Sequence, residues 1–265
     1  MIIAPIASGS SGNCILVEEK GTNILVDAGI SKKRIENGLS AYGIAPQDLD
    51  GILITHEHLD HVQGLGVFLR KYDVPVYATR KTIEAIFQNG KLGALDESLF
   101  YSVKKESRFA LKNLMVSPIA VNHDAADPVC YRFDTEEKSC AVVTDLGVYD
   151  SGFVSKLQNL DSVLLEANYD TRMLEMGPYP YHLKQRIWGD RGHLSNESCG
   201  RLLSDIISER LKNVILGHLS KENNYPDLAF CAVRNEINFA DNEYSAEMLN
   251  IKVAKRMEPS CLVEF

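Results

Sequence analysis

The apolar run Gly51-Ile52-Leu53-Ile54 reads as a short strand, and it leads directly into Thr55-His56-Glu57-His58-Leu59-Asp60-His61. A lone histidine is more often a structural residue than a ligand. Three histidines and an aspartate in six positions are different, because a loop leaving a strand can point alternate residues at two adjacent metal ions. One loop cannot complete two coordination shells, so other His or carboxylate side chains must arrive from other strand ends. His123 follows the strand-like run Met115 to Val121, Asp145 follows Val142-Val143-Thr144, His218 follows Val214-Ile215-Leu216-Gly217, and Asp27 follows Ile24-Leu25-Val26. Each alone is an ordinary strand-end polar residue. Their recurrence beside the histidine cluster calls for a fold that brings several strand ends to one edge.

At 265 residues, one layered α/β domain spanning 1–265 accounts for the chain, and no repeat or proline-rich linker divides it. Strand-like runs at Met1 to Ile6, Cys14 to Glu18, Asn23 to Val26, Gly51 to Ile54, Met115 to Val121, Val129 to Asp134, Cys140 to Thr144, Ser162 to Leu165 and Asn213 to Leu216 are interspersed with helical patterns. The clearest helices are Ser31 to Tyr42, Val62 to Tyr72, Arg80 to Gln88, Asp150 to Leu157 and Ser195 to Glu209. The order suggests two sheets, or one large one, with helices outside. A formal net charge of −8 argues against a generally basic surface that holds nucleic acid by counterion release alone. It leaves room for a local basic groove, or for charge supplied by bound ions. The six cysteines (Cys14, Cys130, Cys140, Cys199, Cys231, Cys261) form no CxxC pair and read as reduced core residues. With no signal-peptide pattern and no membrane-length apolar run, a cytoplasmic protein without membrane association is expected.

The early loop Ala7-Ser8-Gly9-Ser10-Ser11-Gly12-Asn13 looks at first like a phosphate cradle. A nucleotide-binding loop opens a helix, however, and here the follower Cys14-Ile15-Leu16-Val17 is a strand. The local reading is a hairpin connection.

In order, an early Asp, HxHxDH, a His, an Asp and a late His resemble the metallo-β-lactamase fold superfamily, from Asp27 to His218. The resemblance implies an α/β fold, a four-layer αβ/βα sandwich with a dinuclear metal site on its edge. One divalent ion would take His56, His58 and His123, the other Asp60, His61 and His218, with Asp145 bridging and Asp27 holding a ligand in orientation. Zinc suits this nitrogen-rich set, and manganese serves in some nuclease branches. Asp145, where many true β-lactamases carry cysteine, argues against antibiotic hydrolysis. Leu164-Leu165-Glu166-Ala167-Asn168 and Gly192-His193-Leu194-Ser195 resemble motifs of ribonuclease Z-like phosphodiesterases. There the His donates a proton to the leaving oxygen and the Glu orients it. His193, Glu166 and Asp60 are therefore the expected catalytic set.

The strings SGSSGN, THEHLDH, HDAADPVCYRF, TDLG, LEANYD, GPYPYHLKQRI, GHLSNE and LGHLSKENN look most like the YycJ/WalJ branch, an exonuclease-like set of bacterial proteins. That implies a nucleic acid substrate, DNA above others, degraded 5′-to-3′ after attack on phosphorus by a hydroxide shared between two ions. The short stretch between Asp145 and His218 lacks the insertion of ribonuclease J-type enzymes, so RNA-processing specificity of that type is not expected. His182 has no ligand-like context. Lys184 and Arg186 are candidates to contact substrate phosphates, and the implied fold adds Ser8, Ser10, Ser11 and Asn13. A cyclic nucleotide phosphodiesterase uses the same residues almost as well. A thioesterase or glyoxalase II-like hydrolase would share the ligands but leave Glu166 and His193 unexplained. Oligomeric state has no signal.

Overall fold

The computed structural model describes residues 1–260 and 262–265, so the expectation for Cys261 lies outside the described residues. The first sheet contains β1 (Ile2–Ala7), β2 (Cys14–Glu19), β3 (Thr22–Val26), β4 (Gly51–Leu53), β5 (Val76–Thr79) and β6 (Phe100–Val103). The second contains β7 (Phe109–Leu111), β8 (Leu114–Ala120), β9 (Val129–Asp134), β10 (Ser139–Val143), β11 (Ser162–Glu166), β12 (Asn213–Gly217) and β13 (Asn250–Val253). A final strand, β14 (Val263–Glu264), returns to pair with β1 and makes the first sheet seven-stranded. Helices α1 (Lys32–Ala41), α2 (Leu59–Val62), α3 (Leu65–Leu69) and α4 (Arg80–Asn89) accompany the first sheet. The second half carries α5 (Ser151–Lys156), α6 (Thr171–Met176), α7 (Tyr181–Trp188), α8 (Asn196–Ile206) and α9 (Pro226–Phe239).

Alternation along the strands builds the layers, since successive side chains point to opposite faces. Ile15 and Val17 of β2, Ile24 and Val26 of β3, Val142 of β10 and Ile215 of β12 share one core between the sheets. Their neighbours Leu16, Leu25 and Ile52 pack instead under Ile35, Leu39 and Phe68 of the first helical layer. Val143, Leu165 and Leu216 pack under Leu202, Leu203 and Val233 of the second. The result is the four-layer αβ/βα sandwich. Both helical layers use polar entry caps: Thr79, Asp150, Asp170 and Ser195 each accept a backbone N–H of the helix they open.

Strand direction positions the site. β3, β4 and β5 run parallel, as do β10, β11, β12 and β13, while β8 and β10 both pair antiparallel to β9. The C-terminal ends of β8, β10, β11 and β12 therefore share one edge of their sheet, as those of β3 and β4 share one edge of theirs. The helix expected over Val62 to Tyr72 is split into α2 and α3: the Gly64 N–H donates to the Ala28 carbonyl at 2.8 Å, and the Asp60 and His61 carbonyls accept from Asn13 and Ala28 instead of from the next turn. Cys14, Cys130, Cys140 and Cys199 are buried free thiols, but Cys231 is exposed on α9, contrary to its expected place in the core. Among the described residues no helix is long and apolar enough to cross a membrane.

Candidate metal centre

Asp27, Asp145 and His218 leave β3, β10 and β12 in the left-handed backbone region, with φ of 64°, 57° and 53°. Non-glycine residues seldom accept this conformation, and the cost is tolerated where it aims a functional side chain. At each exit the chain turns sharply out of the sheet instead of continuing its pleat. The segment after β8 supplies His123, and the loop after β4 supplies His56, His58, Asp60 and His61, held by a close backbone approach: a Cβ at Gly29 would lie 1.7 Å from the Asp60 carbonyl oxygen.

His56, His58 and His123 form one group whose ligand-type atoms lie within 4.8 Å of one another, and Asp60, His61 and His218 form another. Asp145 stands between them, 3.1 Å from His61 Nε2, 3.2 Å from His218 Nδ1 and 3.6 Å from His123 Nε2. These are the two triads and the central aspartate that the motifs imply.

Hydrogen bonds select which ring nitrogens face the cluster. His61 Nδ1 donates to Asp27 Oδ2 at 2.7 Å, and Asp27 also accepts the Thr55 backbone N–H at 2.9 Å and its hydroxyl. His56 Nδ1 lies 3.0 Å from the Thr55 hydroxyl, and His123 Nδ1 donates to the Gly192 carbonyl at 3.0 Å. The Nε2 atoms of all three rings are left to point inward. Burial, and then the neighbouring His61 charge, push His56 well below the usual histidine range, so it is neutral and its inward lone pair is free. His56 Nε2 is buried with no hydrogen-bond partner among the described residues, and Asp145 Oδ2, though 3.1 Å from His61 Nε2, makes no well-aligned hydrogen bond. An orphaned buried acceptor costs roughly 1–3 kcal/mol. A divalent cation in contact with both would remove that cost, so the donor set fits metal ions. Burial would also strip His61 of its proton, but the Asp145, Asp27 and Asp60 carboxylates outweigh it and hold its pKa well above the usual value. The cluster thus favours positive charge in its midst.

Glu166, fully buried at the end of β11, accepts from Leu146 N–H through Oε2 at 2.8 Å and lies 2.7 Å from His193 Nδ1 through Oε1. His193 leans over the cluster, its ring centroid 5.2 Å from that of His123 and 5.5 Å from that of His218, with its side chain 20% exposed. Burial lowers its pKa, but the Glu166 charge and hydrogen bond more than reverse this and raise it to about 9. At neutral pH it is an imidazolium, with Nδ1 committed to Glu166 and Nε2 left for proton transfer. Ser195, two residues on, caps α8, so His193 is also the helix-entry residue.

The phosphate candidates divide. The Ser8 hydroxyl is buried and accepts the His218 backbone N–H at 2.9 Å, so it braces that histidine and has no face open to a phosphate. Asn13 is equally buried: Oδ1 accepts from Gly9 N–H, and Nδ2 donates to the Asp60 carbonyl. Tertiary contacts override the expectation for both. Ser10 and Ser11 are exposed, with the Ser11 hydroxyl 3.7 Å from Met257 Sδ. Lys184 Nζ donates to the Glu175 carbonyl at 2.6 Å. Arg186 Nε donates to Asp124 Oδ2 at 2.5 Å, and Asp124 lies 3.3 Å from His123 Nε2, which brings this arginine to the rim of the cluster. His182 is exposed on α7.

Several supporting residues escaped the sequence reading. Thr55 links Asp27 to His56. Glu57 accepts from Ala126 N–H at 2.8 Å and ties the loop carrying His123 to the loop carrying the other ligands. Asn168 donates to the His218 carbonyl, and Asn224 donates to the Ala167 and Asn168 carbonyls. Their only signal was membership of THEHLDH, LEANYD and LGHLSKENN, where Thr and Asn also read as turn formers.

The layered fold and this cluster define a metal-dependent hydrolase, and residues 22–218 match the family described as beta-lactamase superfamily domain, to which the chain belongs. It is 41% identical over 236 residues to the exodeoxyribonuclease WalJ of Streptococcus pneumoniae serotype 2, covering 89% of this chain and 88% of that protein. To the exodeoxyribonuclease YycJ of Bacillus anthracis it is 38% identical, over 86% of each. Among solved structures, zinc-bound PqqB from Methylobacterium extorquens superposes with a TM-score of 0.73 over the full length of both chains, at 15% identity.

Proposed function

We propose that the protein is a dinuclear phosphodiesterase that hydrolyses nucleic acid, acting on DNA as a 5′-to-3′ exonuclease with zinc or manganese. The observation that carries this reading is the Glu166–His193 pair, 2.7 Å apart and leaning over the cluster. A thioester releases a thiolate that needs little help from an acid, whereas a phosphodiester releases an alkoxide that must be protonated. The names of the curated relatives support the choice of DNA.

His56, His58 and His123 would hold one ion, Asp60, His61 and His218 the other, and Asp145 both. Bound there, the ions would supply Lewis acidity to water and to the phosphoryl oxygens. The chain does the rest. Asp27 holds Nδ1 of His61 and Thr55 holds Nδ1 of His56, so that Nε2 of each ring faces inward, where a bound ion would stand in place of the proton that His61 otherwise carries. Glu166 keeps Nδ1 of His193 occupied and the ring charged, and His193 delivers the Nε2 proton to the departing oxygen. Arg186, anchored on Asp124, sits where an incoming phosphate would meet positive charge at the rim.

Competing cleavage assays on 5′-phosphorylated duplex DNA, single strands, cyclic nucleotides and a thioester test the reading. Metal-dependent shortening of DNA is expected. Turnover of the thioester or cyclic nucleotide with DNA left intact would contradict it.

A further inference from the structure

The segment before His193 does not behave like the rest of the second helical layer. α7 buries none of its eight residues, although it contains Tyr181, Ile187 and Trp188. Tyr181 is 68% exposed and Trp188 40% exposed. They stand seven residues apart, two turns along one helix face, and their rings meet edge to face with centroids 6.3 Å apart. Two aromatic rings in contact on a helix that buries nothing form an exposed apolar patch, the kind of feature that marks an interaction site. The same helix, Tyr181-His182-Leu183-Lys184-Gln185-Arg186-Ile187-Trp188, carries two cations and no acid in a chain whose net charge is −8. Arg186 shares its charge with Asp124, but Lys184 meets only a carbonyl oxygen among the described residues, so the helix face keeps a positive sign that complements a polyanion. The helix is also joined to the metal centre. Arg186 reaches Asp124, the Ile187 carbonyl accepts the His193 N–H at 2.9 Å, and Arg191 just beyond donates twice to the His123 carbonyl.

We propose that α7 is a stacking platform for unpaired nucleotides of the nucleic acid being degraded: Trp188 and Tyr181 receive base faces, while Arg186 and Lys184 meet the adjoining phosphates. This rests on the nucleic acid reading above and narrows it, because base faces are available for stacking only where the strand is unpaired. The substrate therefore enters with a frayed or single-stranded end, and a duplex has to open locally before its terminal phosphodiester reaches His193.

Trp188 is the single tryptophan of the chain, so its fluorescence reports on this helix alone. The full-length His193→Ala protein, loaded with zinc or manganese to slow cleavage, is titrated with a single-stranded oligothymidylate and, separately, with a blunt duplex. Saturable quenching by the single strand, and markedly less by the duplex, is expected. In the same background, Trp188→Ala and Tyr181→Ala should each weaken binding of a labelled strand roughly 5- to 150-fold, the range of one lost stack. Trp188→Phe should retain most of the affinity, which separates stacking from a folding defect. Phe239→Ala removes an aromatic side chain that is 86% exposed at the end of α9, and it should change nothing. Unchanged fluorescence at saturating strand, or equal quenching by the blunt duplex, would overturn the platform while leaving the nuclease reading intact. If the unsubstituted protein neither binds nor cuts any nucleic acid, the proposed function itself falls, and the platform with it.

Discussion

The two sides of the candidate site are built on opposite principles. On the side of β3 and β4, Asp27, Thr55, His56 and His61 are buried, and each ring nitrogen not facing the cluster is held by a hydrogen bond. On the side of α6 and α7, Leu174 is the one buried residue of both helices, and aromatic and cationic side chains stand in solvent. The first arrangement holds its side chains by buried hydrogen bonds at the expense of backbone strain. The second is free to adapt to a flexible polymer. On the proposed function, chemistry falls to the rigid side and substrate handling to the exposed one, with His193 at the junction.

Substitutions should fall on one side of that line or the other. Asp145→Ala removes the carboxylate shared by both triads, and turnover should drop to background with metal lost on elemental analysis. Retention of full metal-dependent activity would dissolve the distinction. His193→Ala should leave metal content unchanged and slow cleavage by ~10²- to 10⁴-fold, the usual contribution of a general acid. Asp27→Ala should weaken metal binding by roughly 10- to 100-fold, the scale for losing the partner of a metal-bound histidine, as read by competition with a chelator.

A pH profile probes the junction itself. A general acid works protonated, so activity falls as pH rises through the His193 pKa, which burial lowers and Glu166 then lifts to about 9. Glu166→Gln removes the lifting charge. The alkaline limb of kcat against pH should therefore move to lower pH, and an unmoved limb would remove Glu166 from its orienting role. On the exposed side the effects should be smallest: Arg186→Ala should raise KM several-fold and flatten its salt dependence while kcat holds, as measured across a salt series.

The rigid side was far more legible in the sequence than the exposed one. Ligand chemistry is dense and residue-specific, so THEHLDH and the strand-end Asp27, His123, Asp145 and His218 stand out without any structure. Of the strands that carry them, β3, β4, β10 and β12 stand out as short continuous apolar runs, because both of their faces are buried. By contrast α7 gives no periodic signal, since it buries nothing, and β6 and β7 are short edge strands with exposed positions. α9 does bury Ala229, Val233 and Ile237, yet a charged and aromatic outer face hides that stripe. The serine-glycine loop illustrates the remaining difficulty. Its hairpin geometry was readable, but that Ser8 would turn inward to the His218 backbone depends on a strand 210 residues away, and no local pattern encodes it.

The central claim is that His193 protonates the oxygen that leaves phosphorus, and leaving-group dependence tests it most directly. Wild-type and His193→Ala proteins, equally loaded with metal, are compared on an ordinary dinucleotide phosphodiester and on thymidine 5′-(p-nitrophenyl phosphate), whose nitrophenolate departs without needing a proton. The large defect of His193→Ala on the dinucleotide should almost vanish on the nitrophenyl ester. An equal defect on both substrates would show that His193 does something other than donate that proton.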